Sequence, residues 1–420
     1  MKVALAVCSL VRWLDSCSVR RVGWGLTAPD TDFVKEAAGR PEQRGCAMNA
    51  DLFLIDARQK VHAFLPAGLD DFGLTASGQI SVKSLVGSPD WTLYAIDLER
   101  RKAMLVELQP ASDLSEMSFI YMSQYDNGCR VAILDLDDFV TASRAIAPPA
   151  KLSFLFSTGR CGSTLASRIF AQLSDVWSLS EPDYLTNIAM DRLKFGRAEL
   201  VTIVRAATLW TCRPPEGRKP ETVIIKPRSE ATLIAELCQE AFPKSRNVFM
   251  YRDLLGWLNS VSKFEQRIAD PAIVLSDAEY WHDLWDHLMV GTPISVLEDY
   301  FAPNHESIIG PEFHTLLWDL RIEGYLKALR RGLVLTAIHY ADLNGDRAKE
   351  TARLLGACGL SGEHLDLAMR AFEQDSHKGS LSSNETPAVS LSPERCTRAV
   401  SLLARMGKRD YITERLPEQL

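Results

Sequence analysis

No run of apolar residues in this chain approaches the roughly 18 or more that a membrane-crossing helix needs, so a membrane-spanning role is not expected. The chain has no C-x-x-C pair, although nine cysteines are present, at positions 8, 17, 46, 129, 161, 212, 238, 358 and 396. Scattered thiols, odd in number, argue for a reducing, cytoplasmic setting and against a zinc site. Blocks of like charge are missing as well: 54 acidic and 47 basic residues are interspersed, for a net charge of -7. A nucleic-acid partner is therefore not indicated, and chemistry on a small molecule fits better. The first residues, MKVALAVCSLVRWL, begin like a signal peptide, but Arg12 cuts the apolar run to about nine residues and no small-residue cleavage site follows. They read as a strand or helix of the fold.

What is present suits two domains. The chain has 420 residues, 46% hydrophobic and 24% charged, which is ordinary globular composition. Up to residue 148 the pattern is strand-rich: the runs DLFLIDA, KVHAFLPA, ISVKSLV, WTLYAIDL, KAMLVEL, FIYMSQY and RVAILDL alternate with turn-like clusters, with a hairpin across Glu99 to Lys102. This predicts a smaller β-rich accessory domain over 1–148, a packing or oligomerisation module that leaves a homodimer possible. AIAPPAK, with Pro148 and Pro149, is the linker into a second domain over 149–420.

The second domain opens on LSFLFSTGRCGSTLASRIF, which reads as strand, glycine-containing loop and helix. Such a loop binds an anion, because the unpaired N–H groups at the helix start converge and the helix dipole favours negative charge there. Arg160 adds a fixed cation, and Ser163 and Thr164 add hydroxyl donors. The nucleoside-triphosphatase loop requires a Lys directly before its hydroxyl residue, whereas here Gly162 stands directly before Ser163.

After the loop the chain alternates. Val223 to Ile225 reads as a strand, Ala231 to Ala241 as a helix, and Asn247 to Tyr251 as a strand, after which Asp253 caps a helix carrying Leu254, Leu258 and Val261. Leu333 to Ile338 reads as another strand, followed by HYADL and a helix to a turn near Gly359; SHKGSLSSNETP is a polar loop, and a Ser-Pro start opens the last helix. Alternation of this kind predicts a parallel α/β sheet with ligands at the carboxyl ends of its strands. Phe264 to Arg331 is helical and aromatic-rich and reads as a helical cap, some of whose side chains could line an acceptor pocket. His282 and His287, five apart, are poorly placed to hold a metal together.

Taken in order, these motifs resemble the sulfotransferases that use 3′-phosphoadenosine 5′-phosphosulfate (PAPS). STGRCGSTL is similar to that family's Y-P-K-S-G-T-T-W loop. The resemblance implies that Arg160, Cys161, Gly162, Ser163 and Thr164 hold the 5′ side of the donor, although Leu165 replaces a Trp. YRDLLGWLNS carries Arg252 and Ser260 at the spacing of the family's 3′-phosphate site. HYADL resembles its Y-E-D-L strand end, placing Tyr340 beside the adenine, and HKG resembles its R-K-G loop, which implies 3′-phosphate contacts from Lys378 and the Gly379 amide.

IIKPRS resembles the family's I-K-T-H segment, with Lys226 at the Lys. Arg228 occupies the position of the catalytic His and cannot accept a proton at ordinary pH. Bacterial and polysaccharide-directed members instead use a Glu on the strand after the first helix, and LSEPD places Glu181 there. The resemblance thus implies a P-loop sulfotransferase-like α/β fold and a metal-independent transfer to a small hydroxyl or amine acceptor. Glu181 would be the general base, with Arg160 and Lys226 stabilising charge. A small-molecule or nucleotide kinase on a degenerate loop, and a non-catalytic nucleotide-binding protein, are the alternatives.

Overall fold

A computed structural model describes residues 48–60, 65–110, 112–268, 311–373, 391–407 and 415–418. The N-terminal apolar stretch, residues 61–64 of the run from Lys60, the segment 269–310 with His282 and His287, and the polar loop bearing Lys378 and Gly379 lie outside the described residues.

Two five-stranded sheets organise these residues. The first is antiparallel: β1 (Asn49–Arg58), β2 (Phe72–Ser81), β3 (Trp91–Asp97), β4 (Lys102–Glu107) and β5 (Arg130–Asp135), in the order β2-β1-β5-β4-β3. β3 and β4 form the expected hairpin, with Asp97 opposite Lys102. Two runs taken as strands are helices. In ISVKSLV only the first residues finish β2, and α1 (Val82–Gly87) follows, with Ser81 Oγ accepting from the Ser84 amide at 3.1 Å and Val82 and Leu85 turned inward. FIYMSQY forms α2 (Ile120–Asn127), whose buried Ile120, Tyr121 and Gln124 share one helical face. Gln124 fixes that face by donating to Thr92 Oγ1 at 2.8 Å and the Leu93 carbonyl at 2.9 Å. β2 itself, FGLTASGQIS, is an edge strand of small and polar residues with no apolar alternation to announce it.

α3 (Leu136–Ser143) leads to the second sheet, which is parallel throughout: β6 (Lys151–Ser157), β7 (Val176–Ser180), β8 (Thr222–Lys226), β9 (Arg246–Tyr251) and β10 (Thr336–His339), in the order β10-β9-β6-β8-β7. Its helices are α4 (Ser163–Ala171), α5 (Tyr184–Asp191), α6 (Arg197–Thr211), α7 (Ala235–Ala241), α8 (Leu254–Ile268), α9 (Pro311–Arg330), α10 (Tyr340–Gly345), α11 (Arg347–Ala357), α12 (Leu365–Met369) and α13 (Pro393–Arg405). The expected helix over Ala231–Ala241 is two pieces, a 3-10 turn over Ser229–Ile234 and then α7. The last helix does open on a Ser392 cap with Pro393 next.

The parallel strands are buried on both faces, as near-continuous apolar runs require. Leu155, Ile224, Val248, Met250 and Ile338 pack with Ile169 and Phe170 of α4 and with Leu354 and Leu355 of α11. Phe154, Phe156, Ile225 and Phe249 belong to the opposite core, which runs without a break into the first sheet through Leu93, Tyr94, Met104 and Leu105. The sheets are also tied by Arg213, which donates to the carbonyls of Leu85 at 2.6 Å, Val86 at 3.1 Å and Ser88 at 3.1 Å; burial pulls its pKa down to about 10.

Strand order positions the site. The chain leaves β6 for the far edge at β7, returns as β8, and then crosses β6 to reach β9, so β6 marks the switch in direction. Beyond the carboxyl ends of the strands at such a switch lies the crevice where α/β sheets take their ligands.

Candidate functional site

Each of the five parallel strands delivers one of the expected residues at or just beyond its carboxyl end: Arg160 after β6, Glu181 after β7, Lys226 as the last residue of β8, Arg252 after β9 and Tyr340 after β10. Backbone strain marks the same place. Among the described residues three non-glycine positions have positive φ: Arg101 in the β3–β4 turn, Arg160 at 49° and Glu181 at 57°. Side chains other than Gly adopt that region at a cost, and such outliers gather at functional sites.

The loop after β6 is built by Gly159 (φ 71°), Arg160 and Gly162 (φ 82°). Left-handed residues of this kind turn successive amides toward one point. Gly162 is the N-cap of α4, and no side chain caps the helix there. The loop is pinned from beneath: the Thr158 amide donates to the Met250 carbonyl at 3.0 Å, and Trp257 Nε1 donates to the carbonyls of Thr158 and Gly159 at 3.0 and 2.9 Å. Cys161 is fully buried and its Sγ lies 3.3 Å from the Met250 carbonyl, so this residue offers a ligand its backbone rather than its thiol. Ser163 is buried, and Thr164 is partly exposed.

Two contacts join this loop to the expected 3′-phosphate residues. Arg160 Nε donates to Ser260 Oγ at 3.2 Å, across 100 positions of sequence. The Arg252 guanidinium lies over the Tyr340 ring, 4.4 Å from its centroid, and Tyr340 in turn abuts the loop: a Cβ on Gly162 would sit 2.9 Å from Tyr340 Cδ2. Asp253 Oδ1 accepts from the Gly256 amide at 2.7 Å, the expected cap of α8, and Trp318 Nε1 holds the Arg252 carbonyl at 2.9 Å. The loop, Arg160, Ser260, Arg252 and Tyr340 therefore form one cationic, aromatic-lined corner.

The second group lies at the ends of β7 and β8. Ser180 and Lys226 are paired in register, and the Glu181 amide donates to the Lys226 carbonyl at 2.7 Å. The Lys226 ammonium then donates to Glu181 Oε1, with the Lys side chain 2% exposed and the Glu side chain 17%. Burial pushes the Cys161 thiol up, only partly offset by hydrogen bonds and by the positive charge of Lys226. Arg228 pairs with Asp183 at 3.4 Å and Glu230 at 3.9 Å, and stacks on Tyr121 at 4.9 Å. Burial opposes its charge, but Asp183, Tyr121, Glu230 and Glu181 outweigh that and hold it protonated.

Several residues here had no role in the sequence reading. Trp257 stands inside YRDLLGWLNS, and its indole clamps the loop. Asp183 is fully buried, and its Oδ2 accepts from the Ala67 amide at 2.6 Å, while Asn187 Nδ2 donates to the Ala67 carbonyl at 2.8 Å. The N-terminal region thus reaches the strand end that carries Glu181, through Ala67 and Tyr121.

A scan against protein-family models matches none, and no curated protein matches the chain. Among solved structures it is similar to sulfotransferase STF9 from Mycobacterium avium, at 11% identity over 68% of this chain and 86% of that one, with a TM-score of 0.42. It is also similar to mouse sulfotransferase SULT7A1 complexed with PAP, at 12% identity over 64% and 90% with a TM-score of 0.34. The sulfotransferase domain of the Synechococcus PCC 7002 olefin synthase overlaps at 12% identity over 64% and 96%, with a TM-score of 0.34. Overlaps this loose carry no weight for the chemistry of this chain, which has to rest on its own residues.

Proposed function

We propose that the protein transfers a sulfuryl group from PAPS to a hydroxyl or amine of a small acceptor, leaving 3′,5′-ADP. The observation that carries this reading is the Arg160–Ser260 hydrogen bond, which joins the anion loop to the helix bearing the second phosphate-binding pair. A donor with phosphate on both the 3′ and 5′ positions suits two cationic groups converging from neighbouring strands better than a simple nucleotide does.

When bound, PAPS supplies an activated sulfuryl group whose leaving group is a phosphate. The chain's residues then divide the work. The loop amides and Arg160 hold the 5′ side. Arg252 and Ser260 grip the 3′-phosphate, and Tyr340 keeps Arg252 in place by lying beneath it. Arg160 and Lys226 concentrate positive charge where the departing oxygen becomes negative, which is electrostatic stabilisation by preplaced groups. Glu181 takes the proton from the acceptor, worth about a hundredfold or more in rate.

The test is label transfer from radiolabelled PAPS into a mixed pool of small hydroxyl and amine compounds. The wild-type protein should transfer label, and Glu181→Gln should reduce transfer about a hundredfold or more. A wild-type protein that labels nothing sinks the reading, and full turnover by the variant removes Glu181 from the role of base.

A further inference from the structure

We infer that Lys226 has two successive partners, Glu181 before the donor arrives and the donor's sulfonate afterwards, so that donor binding releases the base. This rests on the sulfotransferase reading and goes beyond it, since it assigns an order to the two substrates.

The argument begins from where the pair sits. Lys226 is the last residue of β8, next to β6 and its anion loop on one side and to β7 on the other. Its side chain is 2% exposed, so the ammonium cannot rely on water and needs an anionic partner at all times. In the structure described here that partner is Glu181 Oε1. The alignment is fixed by backbone as well as charge, because the Glu181 amide is bound to the Lys226 carbonyl at 2.7 Å and Glu181 itself is held at a φ of 57°. A left-handed glutamate is strained, and in this conformation its carboxylate meets the Lys226 ammonium.

While Lys226 donates to Glu181 Oε1, that oxygen is engaged by the ammonium rather than offered to the hydroxyl or amine of an acceptor. β8 pairs directly with β6, whose carboxyl end opens into the anion loop, so the end of β8 that carries Lys226 lies beside that loop. A sulfonate seated against the loop would offer Lys226 a second anion. Transfer of Lys226 from Glu181 to that sulfonate keeps the buried ammonium paired and leaves Glu181 to face the acceptor. Donor first, acceptor second is the order this imposes. A carboxylate that is free only when the donor is present also has no proton to take before there is a group to transfer.

The sulfonate is the feature that separates PAPS from 3′,5′-ADP, so the two nucleotides isolate the exchange. In the wild type, PAPS must break the Lys226–Glu181 pair to gain its own contact, whereas 3′,5′-ADP leaves the pair intact. Calorimetric binding of both, in the absence of any acceptor, reads the difference directly. In Glu181→Gln the lysine is already released, and affinity for PAPS should rise about tenfold relative to 3′,5′-ADP. An unchanged or lower ratio overturns the exchange. Lys226→Met gives an independent arm should the first variant not fold: it should bind 3′,5′-ADP as the wild type does and lose about tenfold in affinity for PAPS, and equal affinity changes for both nucleotides, or none, overturn the inference. Failure of the underlying reading looks different, because the wild type would then bind neither nucleotide.

Discussion

At the scale of single residues, the site depends on side chains that hold backbone rather than ligand. Trp257 spends its one N–H on two loop carbonyls, and Trp318 spends its own on the Arg252 carbonyl. Trp257→Phe keeps most of the buried ring and removes the N–H, so thermal denaturation should show a loss of about 1 kcal/mol while nucleotide affinity falls more steeply, because the loop loses its clamp. Gly162 is constrained twice, by a φ of 82° and by Tyr340 at 2.9 Å from any added Cβ. Gly162→Ala should therefore weaken binding of 3′,5′-ADP by about tenfold or more in calorimetry, through displacement of Tyr340 and with it Arg252. The loop glycines were legible in sequence because the strand–turn–helix pattern dictates them, whereas Arg252 and Ser260 were singled out only by a resemblance in spacing. The role of Trp257 was not, since the carbonyls it serves lie 98 and 99 positions away.

At the scale of elements, alternation predicted the parallel sheet well, because strands buried on both faces must be continuous apolar runs and their crossovers must be helices. It failed where a short run mixed apolar and polar residues. FIYMSQY has the aromatic content of a strand, yet Tyr121 and Gln124 satisfy partners on one side only, and a helix is the geometry that allows this. The β10–α10 junction yields a pH prediction. His339 caps α10, its Nδ1 accepting from the Ala341 amide at 3.2 Å. Burial, the nearby Arg415 and Arg252 lower its pKa below the ordinary value, against a smaller opposing pull from Asp342 and Asp253. The unfolded chain therefore binds the proton more readily than the folded one. This histidine's contribution to stability is full above its unfolded value of about 6.5 and is lost as pH falls below it. Urea melts of the wild type should show that loss between neutral and mildly acidic pH, and His339→Gln should flatten it.

At the scale of the whole molecule, the two sheets share one apolar core and are bound by Arg213, Asn187 and Asp183. A sequence reading could see a change of pattern near AIAPPAK, but it could not see that Ala67 meets Asp183 from 116 positions away. That contact gives the N-terminal region a place beside Glu181, since Asp183 lies two residues beyond it and pairs with Arg228. Asp183→Asn removes one partner of a buried ion pair and should cost about 3 kcal/mol of stability in chemical denaturation, in one cooperative transition rather than a separate early loss of either sheet. Within the described residues no helix is long and apolar enough to cross a membrane.

The claim on which the rest depends is that the strand ends form a seat for a nucleotide phosphorylated on both its 3′ and 5′ positions. Calorimetry with 3′,5′-ADP and with 5′-AMP, on the wild type and on Arg252→Ala, tests it most directly. The account predicts that the wild type prefers 3′,5′-ADP by at least about tenfold and that Arg252→Ala abolishes most of this preference while leaving 5′-AMP binding nearly unchanged. Equal affinity of the wild type for the two nucleotides, or equal losses for both in the variant, would contradict it.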